Sequence, residues 1–228
     1  MDVSDLHTPG VRVRPNPPER AHWRGIYVLA FEGTTVFAPA DLLDWVHEAI
    51  DRQTPEALLE PKTWHEALGD ALNSAWGPVK HYYRDHRAGL DEVAAGRRIN
   101  PRDASALAAL RGAVHPLEWL TTGFTAQPSV LFGLFEDEKM VAAANLTPGP
   151  DAASDVGFVI HPDARGKGYG PQIAATAARQ AIMMHGVARY RALTTSPSTM
   201  AIADKLGFTE YGQNLAAYLK GTAEVVMA

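Results

Sequence analysis

Cysteine is absent from the 228 residues. Its absence removes disulfide staples, thiol nucleophiles and Cys-ligated zinc at one stroke. No apolar run approaches the roughly 20 residues that span a bilayer. The opening "MDVSDLHTPG" has neither a basic start nor an apolar core, so it does not read as a signal peptide. An excess of positive charge is also missing: 21 basic side chains face 26 acidic ones, a formal charge of −5. That balance argues against nucleic acid as the main partner. It leaves room for a small anionic ligand, which needs only a local positive site. With 46% hydrophobic residues the chain can build a sizeable core, and the expectation is a cytoplasmic protein of one or two domains.

The first 20 residues, with four of the 16 prolines, read as an extended leader. Next, "GIYVLAF" and "TTVFAP" flank Glu32-Gly33 as a small hairpin. "PADLLDWVHEAIDR" has helical spacing of Leu42, Leu43, Val46 and Ile50, with Asp41 near its start. "PKTWHEALGDALNSAW" reads as a second helix, broken at Gly77-Pro78, and "VKHYYRDH" as a strand. The pairs His47-Glu48 and His65-Glu66 lie on amphipathic helices and read as solvated faces rather than a metal site. A second pattern begins near Arg97. Asp103 is placed to cap a helix carrying Leu107 and Leu110. "HPLEWLTTGF" gives a short helix, then come strands "SVLFGLFED", "KMVAAANLT" and "DVGFVIH". A helix is expected over Tyr169 to His185, a strand at "RYRALTT", a helix at "STMAIADKL", and two closing strands at "FTEYG" and "AAYLK". The division expected is a leader over 1–20, an α/β unit over 21–96 and a second domain over 97–222.

The chemistry gathers in "HPDARGKGYGPQIAATAARQAI". It sets Gly166, Gly168 and Gly170 with Arg165 and Lys167 where a strand hands over to a helix. The stretch fails the dinucleotide fingerprint, because Pro171 stands where the last glycine belongs. It fails the phosphate-binding lysine loop, because Gly168 rather than Ser or Thr follows Lys167. Glycines still let a backbone approach a phosphate, and a helix start offers free N–H groups and the positive end of its dipole.

Arg165, Gly168 and Gly170 match a third pattern, R/Q-x-x-G-x-G/A. With "VGFVIHPDARG" before it and "SPSTMAIADKLGFTEYG" after it, the chain resembles the GNAT superfamily of acyl-CoA-dependent N-acyltransferases over roughly residues 97–220. The resemblance implies an α/β (α+β) fold, a mixed central sheet flanked by helices. The smaller N-terminal α/β unit could then be a degenerate half of the same fold. It implies acetyl-CoA as cosubstrate, with no metal, and a small-molecule or peptide amine as acceptor. Nucleic acid and membrane are not implied, and a dimer is compatible with it. Cofactor contacts are implied for Phe158, Val159 and Ile160 on the strand, for Arg165, Gly166, Lys167, Gly168, Tyr169 and Gly170 on the loop, and for Ser196. Many members carry an acidic base on the corresponding strand; here Asp155 reads equally as that base or as a strand-edge turn residue, with His161 as alternative. The tyrosine that often protonates the leaving thiolate is replaced by Ala203, with Tyr211 and Tyr169 as substitutes that read better as packing.

Overall fold

Alternation of small or branched apolar residues writes the strands of this chain, and alanine-rich runs write the helix that covers them. The computed structural model describes residues 7–18, 24–124, 130–148 and 153–221. It falls into two compact units: one of residues 1–81, 192–197 and 210–225, the other of residues 82–191, 198–209 and 226–228.

In the first unit, β1 (Val11–Pro15) runs parallel to β3 (Thr34–Ala38), and β2 (Gly25–Ala30) pairs antiparallel with both β3 and β10 (Thr209–Leu219). The segment expected as a leader therefore supplies a strand, with its residues 1–6 and 19–20 outside the described set. Val13, Ile26, Val28, Val36 and Leu215 form the core under α1 (Leu43–Ile50) and α2 (Pro61–Leu68). Trp64 is buried, and its indole N–H donates to the Leu58 carbonyl at 2.9 Å. The second helix is shorter than its sequence suggests. It stops at Leu68, where Gly69 takes φ +49°; a 3-10 turn over Gly69–Ala71 follows, and β4 (Leu72–Arg84) begins after it. Gly77-Pro78 lies inside that strand and breaks no helix.

In the second unit the sheet order is β9 (Ala188–Leu193), β8 (Ser154–Ile160), β7 (Lys139–Pro148), β6 (Val130–Glu136), β5 (Arg97–Arg98). β8 and β9 are parallel and the other pairs antiparallel. Alternate residues of β8 face opposite ways. Val159 enters a core with Leu110, Val114, Trp119 and Met140, under α3 (Ala104–Ala113) and α4 (Pro116–Thr121). Phe158 and Ile160 face α5 (Tyr169–His185), which packs on β6, β7 and β8 through buried Ile173, Ala174, Ala177, Ala178 and Ala181. Short side chains let this helix lie close to the strands. α6 spans Pro197–Lys205, and a single long β10 replaces the two closing strands expected.

Asp103 does not cap α3 as expected. It is the third residue of a turn capped by Asn100, and its carboxylate accepts from the Asn100 N–H at 2.9 Å. It also takes a two-pronged contact from Arg97, at 2.7 and 2.8 Å. The Arg97 hydrogen bond and then the Asn100 N–H pull its carboxyl down to about 2. A lowered folded pKa gives stability that is present above the unfolded value, near 3.9, and lost as pH falls through the folded one. Thermal midpoints should therefore drop between about pH 4 and pH 2 more steeply in the native protein than in Asp103→Asn. Parallel curves for the two proteins over that window would refute this.

Candidate active site

The strand-to-helix loop opens at His161, whose Nδ1 accepts from the Asp163 N–H at 3.3 Å in a short 3-10 turn over Pro162–Ala164. Arg165 then extends the chain, and Gly166 and Gly168 take φ +75° and +86°. Side-chain-bearing residues rarely adopt such angles, so glycine is required twice within three residues. Gly168 is the N-cap of α5 and offers no side chain to the helix start. The first N–H groups of α5, at Tyr169 and Gly170, have no intrahelical acceptor. A Cβ added at Gly166 or at Gly168 would meet nothing within 4 Å, so the loop faces open space. Gly170 differs: a Cβ there would come within 2.8 Å of Ile202 and 3.2 Å of Ile160. Its hydrogen lets α5 sit tight against β8 and α6.

The cations of the loop differ too. The Arg165 guanidinium donates to Glu118 on α4 at 2.7 Å, and both side chains are partly exposed. The Lys167 side chain is exposed. The Tyr169 hydroxyl donates to the Glu136 carboxylate. Glu118 and Glu136 are contributions that the sequence reading missed, since neither lies in a motif.

Upstream of the loop, β8 and β9 pair only at Ser154↔Ala188, Asp155↔Arg189 and Val156↔Tyr190. Both strands continue past that point, β8 to Ile160 and β9 to Leu193, so their edges part after Val156 and Tyr190. Phe158 stacks on Tyr190 with ring centroids 6.0 Å apart, and Val159 is buried in the core on the other face. The Tyr190 hydroxyl donates to the Thr199 carbonyl at 3.2 Å, and burial pushes this phenol's pKa up. Gly157 stands opposite Asn145 of β7, and the Thr122 backbone lies directly over it. The Asn145 side-chain amide donates to the Thr122 carbonyl at 2.9 Å, which fixes that approach.

Asp155 is buried on β8 among arginines. Arg189 donates to both its oxygens, through Nε to one and at 2.6 Å to the other. Arg191 makes a further ion pair at 3.1 Å. Neither arginine figured among the sequence candidates. The signal was "RYR", which puts Arg189 and Arg191 on one face of a strand. Ser196 belongs to the first unit, where its N–H donates to the Leu193 carbonyl at 2.9 Å. Ala203 is buried, and Tyr211 stacks on Phe31 of the first unit at 4.0 Å. Among the described residues no group of three His, Asp or Glu could hold a metal ion, and no helix is long and apolar enough to cross a membrane.

A family model described as "Acetyltransferase (GNAT) family" matches residues 99–208, which take in the parted strands, the glycine loop and α5. Residues 99–208 form a GNAT acetyltransferase domain. Solved structures agree on the fold. A GNAT-family protein from Novosphingobium aromaticivorans superposes with TM-score 0.52 at 18% identity, covering 67% of each chain. An acetyltransferase from the GNAT family of Colwellia psychrerythraea gives 0.51 at 13% identity, over 69% of this chain and 61% of its own. A functionally unknown conserved protein from Staphylococcus epidermidis gives 0.50 at 11% identity, over 72% of this chain and 68% of its own. The chain thus spans about three fifths of the Colwellia protein. No curated protein matches the sequence. The GNAT domain accounts for the mixed sheet flanked by helices that the motifs implied.

Proposed function

We propose that the GNAT domain moves an acetyl group from acetyl-CoA to a primary amine, small molecule or peptide, by direct attack. The observation that carries this is an open cradle at the start of α5, made of Gly166 and Gly168 at positive φ, lying at the end of a strand whose edge is released from β9. The family's cosubstrate ends in a pyrophosphate, an anion suited to free N–H groups at a helix start. Arg165, Gly166, Lys167, Gly168, Tyr169 and Gly170 would hold that group. The unpaired edge at Phe158, Val159 and Ile160 would bond the pantetheine arm as an added strand does.

Bound acetyl-CoA supplies an activated thioester. The amine nitrogen bonds to the acyl carbon, the carbon–sulfur bond breaks, and the proton lost by nitrogen balances the thiolate released. A lysine-like amine must first become neutral, at about 4–5 kcal/mol at pH 7. Both oxygens of Asp155 accept from Arg189 N–H groups, so we propose no base role for it. We assign it instead the holding of Arg189 and Arg191. His161 lies just past the end of β8, five residues on from Val156 and about 16 Å away at strand rise, at the start of the glycine loop. Proximity and a solvent-borne proton carry the step in this reading.

The test is thiol release from acetyl-CoA over a panel of primary amines, in which the chain, having no cysteine, adds no thiol of its own. Amine-dependent thiol matched by acetylated amine is expected. Tight CoA binding with no amine-dependent release would instead mark a non-catalytic acyl-CoA-binding module.

A further inference from the structure

We propose that the acceptor amine carries an anionic oxygen group, a carboxylate or a phosphate, and that Arg191 receives it. The inference rests on the acetyl-transfer reading above and adds the acceptor's chemical class.

Three ionisable side chains meet on one face where β8 and β9 last pair. Asp155 brings one negative charge, Arg189 and Arg191 two positive ones. Among the described residues no second carboxylate comes within ion-pair distance of either arginine, so the cluster keeps one unit of positive charge. Holding an uncompensated charge away from water is costly unless a ligand or solvent answers it.

The two arginines are differently committed. Arg189 is buried and grips both oxygens of Asp155. Burial works against its charge, but the hydrogen bond and charge of Asp155, with a contribution from Tyr83, outweigh it and raise its pKa. Arg189 is therefore a fixed internal counter-charge. Arg191 pairs with Asp155 at a closest approach of 3.1 Å, without the two-pronged grip of Arg189, and its side chain is 18% exposed. A guanidinium has five N–H donors in a rigid fork. Most of that fork is left over, on a side chain largely withdrawn from water yet reachable from it. Such a group suits bidentate recognition of an oxyanion.

Position supplies the link to function. Val156↔Tyr190 is the last pair of the parallel ladder, and Arg191 is the next residue of β9. Its fork therefore lies beside the place where the strands part, next to the Phe158–Ile160 edge proposed above for the pantetheine arm, whose end carries the thioester that the nitrogen must reach. Asp155 orients the guanidinium, and an acceptor whose anion docks there brings its amine to the opening.

The experiment uses the full chain saturated with acetyl-CoA, so that phosphate probes do not report on the glycine loop. Initial rates of thiol release are measured for matched primary amines: α-amino acids against their amides, and O-phosphoethanolamine against ethanolamine. The anion-bearing member of at least one pair should show kcat/KM at least 30-fold higher, and the pair responding tells carboxylate from phosphate. Arg191→Gln should erase that preference with the CoA dissociation constant unchanged within about twofold, which also shows the variant folded. Arg191→Lys, keeping charge without the fork, should restore only part of it. Neutral amines turned over as well as their anionic partners, or a preference that survives Arg191→Gln, would overturn the proposal and leave acetyl transfer standing. Should no amine release thiol, calorimetry of acetate and inorganic phosphate on CoA-saturated protein decides: saturable binding lost in Arg191→Gln supports the site, and its absence overturns it. Failure to bind CoA at all would sink the acetyl-transfer reading itself.

Discussion

Gly157→Ala should destabilise the GNAT domain by about 3 kcal/mol or more, at the upper end of the usual cost of overpacking. The added Cβ would overlap the carbonyl oxygen of Thr122, lie 3.0 Å from its carbonyl carbon and come within 2.7 Å of Asn145 Oδ1. None of these neighbours is the free end of a flexible side chain. Thr122 is main chain at the end of α4, held in place by the Asn145 amide bond to its own carbonyl. The strand cannot retreat either, since Gly157 is paired across β7 through the full run from Ala142↔Ile160 to Pro148↔Ser154.

Gly133→Ala makes the matched comparison. It too sits on a central strand, and its Cβ would meet atoms at 2.8 to 3.1 Å. Those atoms belong to the ring of Phe135 and the terminal methyl of Met140, which can swing aside. The cost there should stay near 1 kcal/mol. For a chain of this size 3 kcal/mol is a drop of roughly 6–12 °C in thermal midpoint, against a few degrees for the control. Equal midpoints for the two variants would show that the Thr122 turn yields freely and that its approach to β8 is not fixed.

The contrast between legible and hidden features has a physical basis. α5 was placed from sequence at about Tyr169 to His185 because both its limits are local events: Gly168 precedes it and Gly186 follows it, each at positive φ. The glycine loop was legible for the same reason, since its geometry is written in contiguous residues. Where two closing strands are expected, one strand, β10, runs on through Gly212. Its Cβ would come within 2.7 Å of the Ala30 carbonyl, so glycine there permits close approach to β2 and leaves the strand intact. The Asp155 cluster was out of reach for a different reason. Its partner Arg189 lies 34 residues away and meets it only through the parallel register of β8 and β9. Residue type proposed a general base or a turn residue at Asp155; only pairing reveals two guanidinium groups beside its oxygens.

Gly168→Val should leave the chain folded and weaken CoA binding by at least 100-fold, about 2.8 kcal/mol. The position has φ +86°, where a β-branched residue is strained, and space around it is open, so the fold itself loses only a modest amount. What changes is the ligand side. Relaxing the strain rotates the peptide groups that lead into Tyr169 and Gly170, which takes the helix-start N–H groups off their common aim. The new methyls also stand in the open space that the proposed pyrophosphate would fill. Gly186→Val controls for strain alone. It ends the same helix at φ +76°, again with nothing within 4 Å of its Cβ, but at the far end from the loop. Both variants should lose similar thermal stability, and only Gly168→Val should lose CoA affinity by calorimetry. Native-like binding in Gly168→Val would remove the loop from the cosubstrate site. Equal loss in Gly186→Val would trace the effect to a weakened helix and leave no role for the cradle.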